Sequence, residues 1–287
     1  MFTVILSIFF LSVTGIAAFI MFLNYVLNKI FYLPHADSQK TPADFSLDYK
    51  ELFATSKHHK KIQIWDINPD SNSTPLIAVH GWANTSDSFL PMATELASER
   101  RVLLLNTRNH GGSEDEKYMT LVKYAEDIRA LIDHLQTEGE EPLQVHVLGH
   151  SLGGAAALWE ASKDDRVKSV VTIGTFADLE IVMRNGFVKN KLFKGFVGSL
   201  FAYIEFRIGE RMETISPQNS VNLFKGPVLL THGTKDDVAD FTDLNKIRKA
   251  ANRETVEQFV MKGFGHSDLL VNKDLAQTID GFIRKYD

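Results

Sequence analysis

Val145-His146-Val147-Leu148-Gly149-His150-Ser151-Leu152-Gly153-Gly154-Ala155-Ala156-Ala157 is the stretch that decides how this chain is read. Its first four residues form a short apolar run of the kind that fills a strand buried on both faces. A helix over residues 152–162 follows. Between them Gly149-x-Ser151-x-Gly153 predicts a sharp, strained turn that leaves the serine hydroxyl exposed, with glycines on either side relieving clashes between neighbouring backbones. The start of the helix aims N–H groups and a positive dipole end at any negative charge that develops beside that hydroxyl. Gly154 and the three alanines are small enough to let the helix pack closely on a sheet. The five-residue string is weak alone; the strand before it and the helix after it give it weight.

The same pattern continues in both directions. Lys61-Ile62-Gln63-Ile64-Trp65 alternates with period two, as a half-exposed strand does. Short apolar runs recur at Leu76-Ile77-Ala78-Val79, Val102-Leu103-Leu104-Leu105, Val170-Val171-Thr172-Ile173, Val228-Leu229-Leu230 and Gln258-Phe259-Val260-Met261. Helices fit between them at residues 89–100, at Leu121, Tyr124, Ile128, Leu131, Ile132 and Leu135, and at residues 274–286. Alternating strands and helices predict an α/β fold with a mainly parallel sheet. More than 50 residues separate Ile173 from Val228, too many for one crossover helix. Apolar residues recur there at helical spacing, and long structureless loops are uncommon. About two helices inserted over the sheet, a lid near residues 178–216, are expected.

Composition narrows the chemistry. The 287 residues are 44% hydrophobic and 23% charged, enough for a substantial core. With no cysteine there is no disulfide, thiol nucleophile or thiolate-ligated metal. The net charge of −5 is spread along the chain, without the basic block that nucleic-acid binding requires. Residues 1–28 carry no charge, and residues 3–23 are almost wholly apolar, the length that crosses a bilayer core. An uncleaved single-pass anchor is expected here. A cleaved signal peptide would want a basic start and a shorter apolar run. Residues 29–44, with Pro34 and Pro42, read as a linker to a domain over 45–287. Lys29 and Lys40 lean towards a cytoplasmic domain, but two charges leave the side of the membrane open.

Gly149-His150-Ser151-Leu152-Gly153-Gly154, the upstream His80-Gly81-Trp82 and the loop Arg108-Asn109-His110-Gly111-Gly112-Ser113 together resemble the α/β-hydrolase superfamily, and the last is similar to its small serine esterase branch. The resemblance runs from about residue 45 to the C-terminus and is specific for superfamily rather than substrate. It implies an α/β-hydrolase fold with an eight-stranded, mainly parallel sheet. It also implies Ser151 as nucleophile, and a triad in the chain order serine, acid, histidine. The histidine is then His266 in Gly263-Phe264-Gly265-His266-Ser267-Asp268. The acid is Asp236 in His232-Gly233-Thr234-Lys235-Asp236. Asp237 is adjacent where relatives often have proline, and Asp178 follows the preceding strand, so both stay open. Trp82 and Leu152 correspond to the donors of an oxyanion hole.

The implied activity is hydrolysis of a carboxylic ester through an acyl-enzyme, with no cofactor and no metal. Phe193, Phe196 and Leu200 are expected to line a pocket for an apolar acyl chain. The partners are a small-molecule or lipid-like ester and the membrane holding the N-terminal helix. A transacylase or peptidase using the same triad, or a non-catalytic binding module on the same fold, are the competing expectations.

Overall fold

The computed structural model describes residues 2–137, 143–187, 197–251 and 253–287. The chain opens with α1 (Phe2–Ile30) and then pairs β1 (Tyr49–Thr55) with β2 (Lys61–Ile67). The alternation follows: β3 (Leu76–Val79), α2 (Leu90–Leu96), β4 (Val102–Leu105), α3 (Leu121–Thr137), β5 (Val145–His150), α4 (Leu152–Ala161) and β6 (Val167–Ile173). Among the described residues four helical segments come next: α5 (Leu179–Phe187), α6 (Val197–Ile208), α7 (Met212–Ile215) and α8 (Pro217–Leu223). The chain closes with β7 (Val228–Gly233), α9 (Thr242–Ala251), β8 (Val256–Met261) and α10 (Lys273–Arg284).

The eight strands form one sheet in the order β1-β2-β4-β3-β5-β6-β7-β8. β1 and β2 are antiparallel to their neighbours, and every pairing from β4 to β8 is parallel. Side-chain parity divides the core, since alternate residues of a strand face opposite sides. Ile77, Val79, Leu103, Leu105, Val145 and Val147 join the layer under α3, α4, α8 and α9. Leu76, Ala78, Val102, Leu104 and Leu148 join the layer under α2 and α10.

Two expectations are revised. β2 is not half-exposed: from Ile62 to Asp66 it is buried throughout. Its polar positions are paired rather than solvated. Gln63 Oε1 accepts from Asn106 Nδ2 and from the Gly112 amide, each at 2.7 Å, and Asp66 takes a two-pronged contact from Arg101. The crossover region also holds more helix than the two segments expected. α5, α6 and α7 lie over the site, whereas α8 packs on α4 and α9 as an ordinary crossover helix.

α1 is long and apolar enough to cross a membrane, and its most apolar window is wholly exposed. Among the described residues, its last turns pack on the rest of the protein. Leu23 and Leu27 are buried among Val197, Leu200, Phe201 and Ile204 of α6, and Asn24 Oδ1 accepts from Arg207. The segment after α1 is stitched down. The Met119 amide donates to Phe31 O (2.9 Å), the Ala36 amide to Asn109 O (2.9 Å) and the Gly111 amide to Ala36 O (2.8 Å). Asn109 Nδ2 donates to Leu33 O at 2.7 Å. Residues 31–36 thus carry an ordered path that composition alone suggested was a linker.

Candidate active site

β5 runs directly into α4, and Ser151 takes the turn between them at φ 52°, ψ −116°. Such a conformation costs a non-glycine residue of order 1–3 kcal/mol and persists only where its surroundings enforce it. Here the Ser151 amide donates to Ile173 O of β6 at 2.8 Å. Ser151 O accepts from Thr175 Oγ1 (3.1 Å) and from the Gly154 and Ala155 amides (3.1 and 3.2 Å). The flanking glycines serve close approach. A Cβ at position 149 would run into the backbone of Gly153 and Gly154, and one at 153 into the carbonyls of Val79 and His80.

Two loops at the carboxyl ends of β7 and β8 bring Asp236 to His266. His266 Nδ1 lies 2.8 Å from Asp236 Oδ2. Oδ1 of the same carboxylate accepts from the Val238 and Ala239 amides at 2.9 and 2.8 Å, and His232 Nε2 is 3.2 Å from Oδ2. Burial alone would raise the Asp236 carboxyl. The bonds from His232, His266 and the two amides outweigh it and hold the group well below the usual carboxylate range. Of the other two acids, Asp237 is exposed. Asp178 caps α5, accepting from the Ile181 amide and from Gln218 Nε2, each at 3.0 Å.

His150, the residue before the serine, was not singled out as functional by its sequence. Its ring lies 4.5 Å from that of His266, centroid to centroid, and its Nε2–H donates to His266 O at 3.1 Å. Burial, and then the neighbouring His266, push His150 down to about 4, so it stays neutral. It thereby fixes the backbone of the loop that carries His266. The only sequence signal was its place inside the Gly-x-Ser-x-Gly string.

His80-Gly81-Trp82 lies against the elbow: a Cβ on Gly81 would sit 3.1 Å from Ser151 Cβ. Gly81 O accepts from His80 Nδ1–H at 2.8 Å and from the Tyr124 hydroxyl at 3.3 Å. In a trans peptide the carbonyl and the next N–H point in opposite directions. Holding the Gly81 carbonyl inward therefore turns the Trp82 N–H outward. His80 Nε2 accepts from the Thr107 amide at 3.2 Å, which completes a neutral tautomer, and burial pushes its pKa well below the usual value. The loop from Arg108 braces this strand end from behind. Arg108, fully buried, meets Asp127, Glu126 and Glu116.

Ser151 opens into a cavity of about 320 Å³, inside the range of about 300–1,000 Å³ common for small-molecule sites. Trp82 and Leu152 line it beside the serine, and Leu179, Met183, Ile208 and Met212 contribute apolar wall from above. Of the residues expected on that wall, Phe193 and Phe196 lie outside the described residues. Leu200 is described and does not line the cavity: it is buried one layer back, against Leu23 and Leu27 of α1. Among the described residues, no cluster of three or more His, Cys, Asp or Glu side chains could hold a metal ion.

Residues 74–212 match the family model described as the α/β-hydrolase fold. The chain spans between 35% and 42% of the length of three curated relatives. One is an esterase of Escherichia coli, 28% identical over 103 residues, 36% of this chain and 39% of that protein. An uncharacterized membrane protein of Saccharomyces cerevisiae is 25% identical over 274 residues, 91% of this chain and 90% of the yeast protein. Among solved structures, an esterase of Pyrococcus furiosus superposes with a TM-score of 0.71 at 21% identity, covering 88% of this chain and 97% of that one.

Proposed function

Starting from a chain that has the α/β-hydrolase fold and resembles esterases of that superfamily, we propose that it is a membrane-anchored serine hydrolase that cleaves carboxylic esters with apolar acyl groups. The observation that carries this reading is the Asp236–His266 pair at 2.8 Å, with the His266 ring 4.5 Å from that of His150, the residue before a serine that is held in a strained turn and lines an apolar cavity.

In the proposed reaction His266 Nε2 takes the Ser151 Oγ proton as the oxygen attacks the ester carbonyl. Asp236 keeps the proton on Nδ1, fixes the tautomer and stabilises the imidazolium. The tetrahedral oxyanion is received by the N–H groups of Trp82 and Leu152 at the start of α4, where the helix dipole adds to the attraction. Collapse breaks the ester C–O bond, and the alcohol leaves with the proton from His266. Water then attacks the acyl-Ser151 ester with His266 again as base, releasing the acid and restoring the serine. No step calls for a metal or cofactor. α1 supports a single-pass anchor, and the full-length match to a yeast membrane protein is consistent with it.

The test is labelling of full-length protein in detergent with a fluorophosphonate probe, alongside turnover of p-nitrophenyl esters. The reading requires labelling that disappears in Ser151→Ala. Folded wild-type protein that neither labels nor turns over any ester would leave a non-catalytic module in its place.

A further inference from the structure

Resting on that reaction, we propose that the end of the N-terminal helix is itself part of the substrate site. Ile30 and Phe31 form the wall along which one acyl chain of a bilayer lipid lies while its ester carbonyl reaches Ser151. The site would then take lipid acyl esters drawn from the leaflet into which α1 is inserted.

The cavity is the first ground. Its lining includes Ser151 and Leu152 and also Ile30 and Phe31. A helix needed only as a tether would contribute nothing to the pocket.

The second ground is that this wall is fixed in place. The Phe31 amide continues the helix to Leu27 O at 3.0 Å, and Phe31 O accepts the Met119 amide at 2.9 Å. Met212 belongs to the same buried cluster as Leu23 and Leu27 and also lines the cavity, so one apolar cluster joins α1 to the pocket.

The third ground is depth. The exposed apolar window of α1 lies upstream of Asn24 and Tyr25, and Lys29 stands over the Tyr25 ring, the residue pairing expected at a membrane interface. At a rise of 1.5 Å per residue, Ile30 lies about 9 Å beyond Asn24. The polar layer flanking the hydrocarbon core is about 5–7.5 Å thick, so Ile30 sits at its outer edge, next to the lipid headgroups.

The rim agrees. Trp82, Val182 and Val238 line the cavity yet are 39%, 44% and 68% exposed. Apolar side chains gathered at one opening mark a surface that meets another apolar phase. With α1 beside them, that phase is the bilayer, and an acyl chain passing from it to the cavity never crosses water.

The experiment uses full-length protein in phosphatidylcholine vesicles. A diazirine-bearing palmitic acid is photolysed, and adducts are mapped by mass spectrometry. The expected adducts fall on the peptide containing Ile30 and Phe31 and are competed by unlabelled palmitic acid. Adducts confined to residues 2–20, as general partitioning into lipid would give, overturn the proposal. In parallel, kcat/KM is measured for p-nitrophenyl dodecanoate and butanoate with Ile30→Trp, which fills the cavity, and Phe31→Ala, which widens it. The dodecanoate-to-butanoate ratio should fall at least about tenfold in Ile30→Trp. A ratio within about twofold of wild type in both variants also overturns it. The two readings fail separately. Adducts at Ile30 and Phe31 without turnover of any ester would sink the esterase and keep the acyl site; butanoate turnover with no such adduct would do the reverse.

Discussion

Ser151 combines two properties that a mutation can separate: a hydroxyl and a costly backbone conformation. Ser151→Ala removes only the first and should lower kcat/KM by at least about 10³-fold. Ser151→Gly removes both, so it should be equally inactive yet more stable by about 1–3 kcal/mol, read as a shift in denaturation midpoint. Asp236→Asn should cost about 10³–10⁴-fold in kcat, because His266 would lose the tautomer it needs. Asp237→Asn should leave turnover near wild type, and Asp178→Asn should register in stability rather than rate. Equal losses at 236 and 237 would remove Asp236 from the triad. The sequence favoured Asp236, through its place in His232-Gly233-Thr234-Lys235-Asp236, and left Asp237 open. What separates them is the turn in which the Val238 and Ala239 amides fold back onto Asp236 Oδ1, leaving the next side chain to solvent. Tyr124 is subtler: it is fully buried, and its hydroxyl reaches the proposed site through the Gly81 peptide. Tyr124→Phe should reduce kcat about 3–10-fold with little change in KM, the effect of one hydrogen bond that matters most when the oxyanion forms.

At the scale of elements, the Arg108 loop is held by charge buried in the protein. Asp127 accepts from Ser56 Oγ (2.5 Å), the Arg108 amide (2.9 Å) and Arg108 Nε (2.8 Å), and both side chains are inaccessible to solvent. Removing one partner strands the other, so Arg108→Ala should destabilise the protein by about 3–5 kcal/mol, measured by denaturant titration. A shift under 1 kcal/mol would mean the loop is held by other means. Six of the eight strands were legible as short, mostly apolar runs, the form that a largely buried strand takes, and β2 was legible by its alternation. β1, Tyr49-Lys50-Glu51-Leu52-Phe53-Ala54-Thr55, was not, because an edge strand with charged outer positions has no such run. β2 was placed correctly and its burial misjudged, since alternation reports polarity and not whether the polar side chain finds a partner. α9 was overlooked for a similar reason: Thr242-Asp243-Leu244-Asn245-Lys246-Ile247 shows few apolar positions to reveal its period.

For the molecule as a whole, acidity should be the weak point. Burial pushes His110, His146 and His150 down to about 4 from an ordinary value of 6.5. The unfolded chain takes up these protons near pH 6.5 and the folded chain only near pH 4, so more protons are bound in the unfolded state across that interval. The contribution of these three rings is therefore full above about pH 6.5 and is lost as pH falls towards 4, offset in part by Glu160, which burial raises to about 7. Thermal midpoints at pH 7.5 and pH 5 should show a clear drop, and equal midpoints would mean these rings are accessible to protons in the folded state. α1 was legible as an apolar length, but its union with the domain was not. The hydrogen bonds that seat residues 31–36 run to Asn109, Gly111 and Met119, far away in sequence and adjacent only once the sheet is built. That seating has a kinetic consequence. A domain free on a flexible tether meets substrate in three dimensions, and its rate follows concentration per litre. A domain clamped at one height and one tilt searches a plane. Its turnover should follow the mole fraction of ester in the surrounding lipid, falling when inert phospholipid is added although the amount of ester in the tube is unchanged.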